Sequence, residues 1–154
     1  MGAKSPAHRL LIRSRQLTLD EWQLLAEAFV WLAIASAAIR TQPFLQVGRM
    51  ASSPLGRAPP AERAVVVGKV RWAVKTAARW TPWRAVCFQQ GLTAQIMLRR
   101  RGVDSTLYFG AAPGDESGME AHVWVRDGER DVVGVEEAKG FAVLARFPSD
   151  GHRN

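Results

Sequence analysis

The chain of 154 residues contains a single cysteine, Cys87, and this scarcity excludes two kinds of site. An internal disulfide needs two thiols, and a zinc site built from clustered cysteines needs more than one. A lone cysteine is typical of a reducing compartment, which predicts a cytoplasmic location. No metal site and no bound cofactor are expected.

The sequence also lacks a recognisable secretory leader and a hydrophobic run of membrane-spanning length. Residues 1–16 are basic and polar without an apolar core, so they predict a basic arm. Residues 28–39 are apolar all round but shorter than the ~20 residues that a membrane span needs. They predict a buried helix, and a helix that contacts a membrane surface or a partner protein is the alternative.

Acidic residues are scarce relative to basic ones. The chain has 14 Asp and Glu against 21 Lys and Arg, which gives a formal net charge of +7. This balance favours an acidic partner such as nucleic acid, an anionic membrane or an acidic peptide. No aromatic residues are interleaved with a basic stripe, so nucleic acid is not expected as a partner. Residues 99–101, all arginine, predict a solvated helix end, with attraction of an acidic peptide as the alternative.

Hydrophobic periodicity and capping residues predict three helices in the first two thirds of the chain. They cover residues 19–39, residues 61 to about 80, and residues 88–101, with a Pro-rich linker at residues 52–60. Thr18 and Glu21 have the spacing of a capping box, and Pro43 should end the first helix. Gly102 should close the third helix as its C-cap.

Three strands are predicted after the helices, at residues 105–110, 121–126 and 131–135, with a surface loop at residues 112–119. Asp127 and Gly128 form a strong turn signal between the second and third strands. Phe141, Leu144 and Phe147 should pack the C-terminal end. The layout is α+β, with the cysteine-bearing helix on an antiparallel meander. We expect one domain overall, divided into the arm, an apolar helix and linker at 17–60, and a core at 61–154.

Cys87 and His122 are the candidate nucleophile and base. The start of a helix carries partial positive charge and unpaired N–H groups, which favour a thiolate and can hold an oxyanion. A buried structural cysteine is the alternative reading of Cys87. His122 is the only interior histidine, because His8 and His152 lie near the chain ends. If this is a Cys–His enzyme, no other well-placed pairing exists; a structural histidine is the alternative.

A third group must orient the imidazole of such a pair. A two-residue turn after the second strand would leave Asp131 diagonal to His122, whereas a three-residue loop would bring Glu136 diagonal. The second register places the valines of both strands on one apolar face, and a shared apolar face is a strong constraint on register. We therefore predict Glu136 as the third residue, with Asp131 and Glu137 as rivals. Solvated turn and edge charges are the alternative reading.

Four segments together resemble the leader peptidases of lasso peptide biosynthesis, which have a transglutaminase-like (papain-like) fold. They are Cys87-Phe-Gln-Gln-Gly-Leu-Thr-Ala-Gln-Ile-Met-Leu-Arg-Arg-Arg-Gly-Val, Leu107-Tyr-Phe-Gly, Ala121-His-Val-Trp-Val and Val132-Val-Gly. The resemblance runs from about residue 80 to residue 147. It implies a cysteine peptidase of the Cys–His–Asp type, with Cys87 and His122 on the first two motif positions. Where the family often carries Asp, just after a Val-Val-Gly-like strand, this chain has Val135 and then Glu136.

The resemblance also implies partners. It points to cleavage of the leader of a precursor peptide, together with a separate leader-recognition protein and an ATP-dependent macrolactam synthetase. Two other functions would use the same residues or the same fold. One is a different amidase or acyltransferase that shares Cys87 and His122, and the other is a non-catalytic subunit that presents a peptide to another enzyme.

Overall fold

Four helices precede a four-stranded sheet in the computed structural model, which describes residues 17–56, 62–115, 118–128 and 130–149. The helices are α1 (Leu19–Thr41), α2 (Phe44–Ala51), α3 (Arg63–Ala78) and α4 (Cys87–Arg100). The α+β class predicted from the sequence is confirmed. The predicted basic arm and residues 57–60 of the predicted linker lie outside the described residues.

The sheet is antiparallel throughout and has the strand order β3-β2-β1-β4. Its strands are β1 (Thr106–Pro113), β2 (Met119–Asp127), β3 (Arg130–Val133) and β4 (Ala142–Phe147). Strand β4 was not predicted, because its residues were expected only to pack the C-terminal end. That expectation is wrong for Leu144, which is 61% exposed on the edge strand. The expectation is confirmed for Phe147, which packs edge-on against Phe44 at a centroid distance of 5.7 Å.

The boundaries of α1 follow from its capping residues. Glu21 N–H donates to the Thr18 hydroxyl, and Thr18 N–H donates to the Glu21 carboxylate at 2.8 Å, which completes the predicted capping box. The sequence pattern does not predict the short helix α2, because a proline such as Pro43 usually ends the helix before it. Proline also suits the start of a helix, since its missing N–H would have no partner there, and Pro43 is the N-cap of α2.

The hydrophobic core lies between the helices and one face of the sheet. Helices α1, α3 and α4 each contribute fully buried side chains, among them Leu32, Val70 and Leu92. Alternation along β2 places Val123 and Val125 on the face that the helices cover. Because α1 belongs to this core, it packs with the segment that bears Cys87. The predicted division of the chain at residues 17–60 and 61–154 stays a prediction.

Helix α1 is long and apolar enough, by length and composition alone, to cross a membrane. One side of it is buried in the core through Ala28, Leu32 and Ala35. The other side exposes Val30 and Ile34 to solvent, at 53% and 40% of their surface. One side of the helix therefore belongs to the core, and the other side is exposed apolar surface. The apolar run in the sequence does not show which residues lie on which side.

The prediction of a solvated helix end at residues 99–101 is wrong for Arg99. Arg99 is buried and pairs with Asp104 at 3.3 Å. Arg101 pairs with Glu27 of α1, and Arg100 lies 5.7 Å above the ring of Trp31. These contacts tie the end of α4 to α1 and to the following turn.

Candidate active site

Cys87 is the first residue of α4 and is half-buried. Just before it, Val86 N–H donates to the side-chain oxygen of Gln89 at 3.2 Å, which holds the start of the helix. Within the described ranges, neither the thiol nor the backbone N–H of Cys87 makes a hydrogen bond. The first turn of α4 therefore offers a thiol together with an unpaired N–H donor, as predicted for a nucleophile position.

The helix face that carries Cys87 meets β2 beside His122. Gly91 lies one turn after Cys87 on the same face of α4. A Cβ atom on Gly91 would lie only 2.7 Å from Cγ1 of Val123, so the helix and the strand are in close contact there. Val123 is the neighbour of His122 in β2. The fold thus brings the two backbone segments together.

His122 is 9% exposed and sits in an aromatic layer on the sheet. Its ring stacks on Trp124 at a centroid distance of 6.1 Å and contacts Phe141 at 5.3 Å. Its Nε2 atom lies 2.6 Å from the carbonyl oxygen of Gly134, just beyond β3. A carbonyl can only accept, so Nε2 carries the proton of this hydrogen bond.

The two candidate side chains are not joined directly. No hydrogen bond links the Cys87 thiol to the His122 imidazole among the residues that the structure describes. Side chains alternate along a strand, and Val123 points toward α4, so the imidazole of His122 extends from the opposite face of β2. The structure therefore places the cysteine helix next to the histidine strand without a contact between sulfur and imidazole.

The three candidate carboxylates have other surroundings. Glu136 pairs with Arg71 of α3 at 3.0 Å, and its side chain is 70% exposed. Asp131 pairs with Arg126 at 3.1 Å, and Glu137 is exposed. In the part of the chain that the structure describes, none of the three bonds to the imidazole, and Gly134 supplies its acceptor instead.

The strand register explains why the carboxylates lie elsewhere. Strand β2 pairs Arg126 with Asp131 and Val125 with Val133, with a bulge between the two pairs. Both predicted registers are therefore wrong, although Val125 and Val133 do share the predicted apolar face. A bulge inserts one unpaired residue and redirects the strand, which the sequence pattern could not reveal.

Gly134 is the site residue that sequence reasoning missed. Its φ of +73° is a left-handed conformation that glycine adopts without a steric penalty. The predicted third groups are all acidic side chains, whereas the observed acceptor is a backbone atom. The available signal was the glycine that follows Val132-Val in the strand pattern.

Two of the tryptophans near the site differ in exposure. Trp83 packs edge-on against Phe29 of α1 at 5.5 Å and is half-buried, whereas Trp80 is 60% exposed. Trp124 stacks on Tyr108 at 5.6 Å within the sheet. Trp80 is therefore the aromatic side chain with the most exposed surface in this part of the fold.

Among the described residues, no group of His, Cys, Asp and Glu side chains is arranged to hold a metal ion.

We expect Gly91→Ala to displace α4 from β2, because the new methyl group would overlap Val123. Overpacking of this kind costs about 1–3 kcal/mol of unfolding free energy. Gly68→Ala is the matched control, because nothing lies within 4 Å of its Cβ position in α3. That control should gain about 0.4–1 kcal/mol. Urea unfolding of both variants measures the contrast, and equal effects would show that the contact is not tight.

Comparison with known proteins agrees with this fold. The sequence model of the Transglutaminase-like superfamily matches residues 28–146, which is well over half of the chain. No curated protein and no solved structure gave a significant match. The matched region includes both Cys87 and His122 and most of the described helices and strands. Such membership supports a papain-like cysteine peptidase or acyltransferase type of activity. The chain belongs to the transglutaminase-like superfamily.

Proposed function

We propose that this protein is a cysteine peptidase that removes the leader from a ribosomally synthesised lasso precursor peptide. One observation supports this above the others: the helix that begins at Cys87 packs through Gly91 on the strand that carries His122. The segments that resemble the lasso leader peptidases include both residues. Superfamily membership supports the cysteine chemistry, and the substrate class comes from the resemblance.

In the proposed reaction, Nδ1 of His122 takes the proton of the Cys87 thiol, and the sulfur attacks the carbonyl carbon of the last leader residue. The Cys87 N–H donates to the oxyanion of the tetrahedral intermediate. Protonated Nδ1 then donates to the amine of the core peptide as the C–N bond breaks, which leaves a thioester. Water, deprotonated by Nδ1, hydrolyses the thioester and regenerates the thiol.

A sulfur–imidazole contact is required by this mechanism and is absent without substrate. Catalytic hydrogen bonds are often long or poorly aligned in free enzymes and tighten when the substrate binds. Although α4 contacts β2 beside His122, the imidazole extends from the opposite face of that strand, so the contact would require a movement of the backbone when the substrate binds. Glu136, the predicted third residue, would have to leave Arg71 to take part.

The proposed reaction implies two protein partners. A separate leader-recognition protein would bring the precursor to the peptidase, and an ATP-dependent macrolactam synthetase would join the new N-terminus to a side-chain carboxyl. We place the reaction in the cytoplasm, where ATP is available and the single thiol stays reduced. Contact of α1 with a membrane surface stays a prediction, supported by the exposure of Val30 and Ile34.

The experiment is to incubate a lasso precursor peptide with this protein and the leader-recognition protein, and to analyse the products by mass spectrometry. We expect two fragments that meet at the leader–core boundary. A product in which the leader is joined to an added amine, without hydrolysis, would instead identify an acyltransferase of the same superfamily. An uncut precursor would reject the leader-peptidase function.

A non-catalytic, peptide-presenting subunit is the second candidate, and the missing bond between Cys87 and His122 favours it. In that role the protein would bind the precursor without cutting it. The two candidates differ in whether maturation requires the thiol, so the activity of Cys87→Ala distinguishes them.

A further inference from the structure

We propose that the backbone carbonyl of Gly134, and not a carboxylate, orients His122, so that Gly134 is a positioning residue of the site. The observation is the 2.6 Å contact between His122 Nε2 and Gly134 O, formed by a half-buried glycine and a buried imidazole. Its catalytic meaning depends on the proposed function. The hydrogen bond itself does not, and it can be measured without substrate.

The contact selects one tautomer of the neutral imidazole. A carbonyl oxygen has no proton to give, so Nε2 must donate and therefore holds the ring proton. Nδ1 is then left with the lone pair that a general base needs. Stacking on Trp124 and contact with Phe141 restrict rotation of the ring, which keeps Nε2 on Gly134. The arrangement defines which nitrogen of His122 receives the thiol proton.

Glycine is required at position 134 for two separate reasons. Its φ of +73° would strain any residue with a Cβ atom. A Cβ atom there would also lie 2.5 Å from the carbonyl oxygen of Val123 and 3.3 Å from Nε2 of His122. The backbone can turn its carbonyl toward the imidazole at this distance only because no side chain stands between them.

A neutral acceptor is chemically sufficient for this role. Papain-like proteases pair cysteine and histidine with an asparagine, whose uncharged amide oxygen orients the imidazole. The Gly134 carbonyl is likewise an uncharged oxygen that accepts the N–H of the imidazole. Glu136, the nearest candidate in sequence, is held by Arg71 on the exposed side of the fold. A carboxylate is therefore not needed to explain the orientation of His122.

The direct test is long-range ¹H–¹⁵N correlation NMR of the full-length, ¹⁵N-labelled protein at a pH where the imidazole is neutral. Signals of His122 are identified by their loss in His122→Gln. We expect a single Nε2–H tautomer in the absence of any substrate. An Nδ1–H tautomer, or the mixture typical of a free imidazole, would overturn the proposal whether or not the protein cuts a precursor.

Two sets of variants distinguish orientation of His122 by the Gly134 carbonyl from orientation by a carboxylate. Gly134→Ala should convert His122 to a tautomer mixture, whereas Gly128→Ala should not. Gly128 also has a positive φ, of +58°, but no atom lies within 4 Å of its Cβ position, so it reproduces the strain without the contact. If Gly134→Ala fails to fold, the tautomer of the unmodified chain and the carboxylate variants still decide whether the carbonyl or a carboxylate orients His122.

Glu136→Gln, Asp131→Asn and Glu137→Gln should each keep the Nε2–H tautomer and change the cleavage rate by no more than about threefold, as expected for exposed charges. Loss of the orienting carboxylate in a Ser–His–Asp triad lowers kcat by about 10⁴-fold through the wrong tautomer. A fall of that size in any one of these variants, together with a changed tautomer, would assign the role to that carboxylate and reject Gly134. If the precursor is never cut while the tautomer is as expected, only the proposed function fails.

Discussion

Replacing Cys87 with alanine is expected to lower the rate of leader cleavage by about 10⁴-fold or more. In the proposed mechanism the sulfur forms the covalent intermediate, and removal of a nucleophile from such a unit leaves only the residual effect of binding and oxyanion stabilisation. The protein should still fold, because Cys87 is only half-buried and its thiol makes no hydrogen bond within the described ranges. The measurement is single-turnover cleavage of the precursor, followed by mass spectrometry.

Cys87→Ser is the matched control for this variant, since it keeps the shape of the side chain but presents a much weaker nucleophile. It should be as inactive as Cys87→Ala. Unchanged product formation with Cys87→Ala, in the presence of the recognition protein and the synthetase, would show that the chain is a peptide-presenting subunit.

The pairing of Cys87 with His122 can be measured in the same proteins without a precursor. Cys87 is the only thiol in the chain, so alkylation by iodoacetamide reports its reactivity alone. A thiolate is the reactive form, and a base that supports it can raise the alkylation rate at pH 7 by about tenfold. Over the residues that it describes, the structure shows no contact between the imidazole and the sulfur in the free protein, so His122→Gln should leave the alkylation rate unchanged. A slower rate in this variant would show that the imidazole already reaches the sulfur without a substrate.

The largest expected loss of stability comes from replacing Gln95 with leucine. Gln95 is completely buried in α4, and its amide nitrogen lies 2.8–3.0 Å from the carbonyl oxygens of Ala51, Ser105 and Phe147, which share its two N–H groups. The Ser105 hydroxyl donates back to its oxygen at 2.8 Å. Leucine would leave these buried groups without partners, at about 1–3 kcal/mol each. We expect a total loss of about 3–5 kcal/mol, since some groups will relax toward other partners.

This loss is a large part of the 5–15 kcal/mol typical of a folded domain. Urea unfolding, extrapolated linearly to water, gives the free energy of unfolding. Thr93→Val is the matched control, because Thr93 is equally buried in α4 but its hydroxyl has no hydrogen-bond partner among the described residues. That variant should be neutral or slightly more stable. If Gln95→Leu lost no more than this control, the network would not hold α2, β1 and β4 together.

The two members of the candidate pair were predictable from the sequence to different extents. Cys87 and His122 stand out because they are scarce, and Cys87 begins a helix whose periodicity and C-terminal glycine are local features. The orienting group was not predictable, because it is the direction of one backbone carbonyl. That direction depends on a bulge in the pairing of β2 with β3 and on the left-handed φ of Gly134. The identities of the side chains do not directly show the bulge or the left-handed φ.

By itself, the sequence determined the elements that depend on neighbours along the chain. The capping box of α1, the cysteine at the start of α4 and the alternating valines of β2 all arise from contacts or periodicities within a few residues. Only the tertiary structure decided which distant groups meet. It assigned Glu136 to Arg71, buried Arg99, and placed the carbonyl of Gly134 against His122. Those pairings depend on strand register and helix packing, which are set by the whole core and not by any one segment.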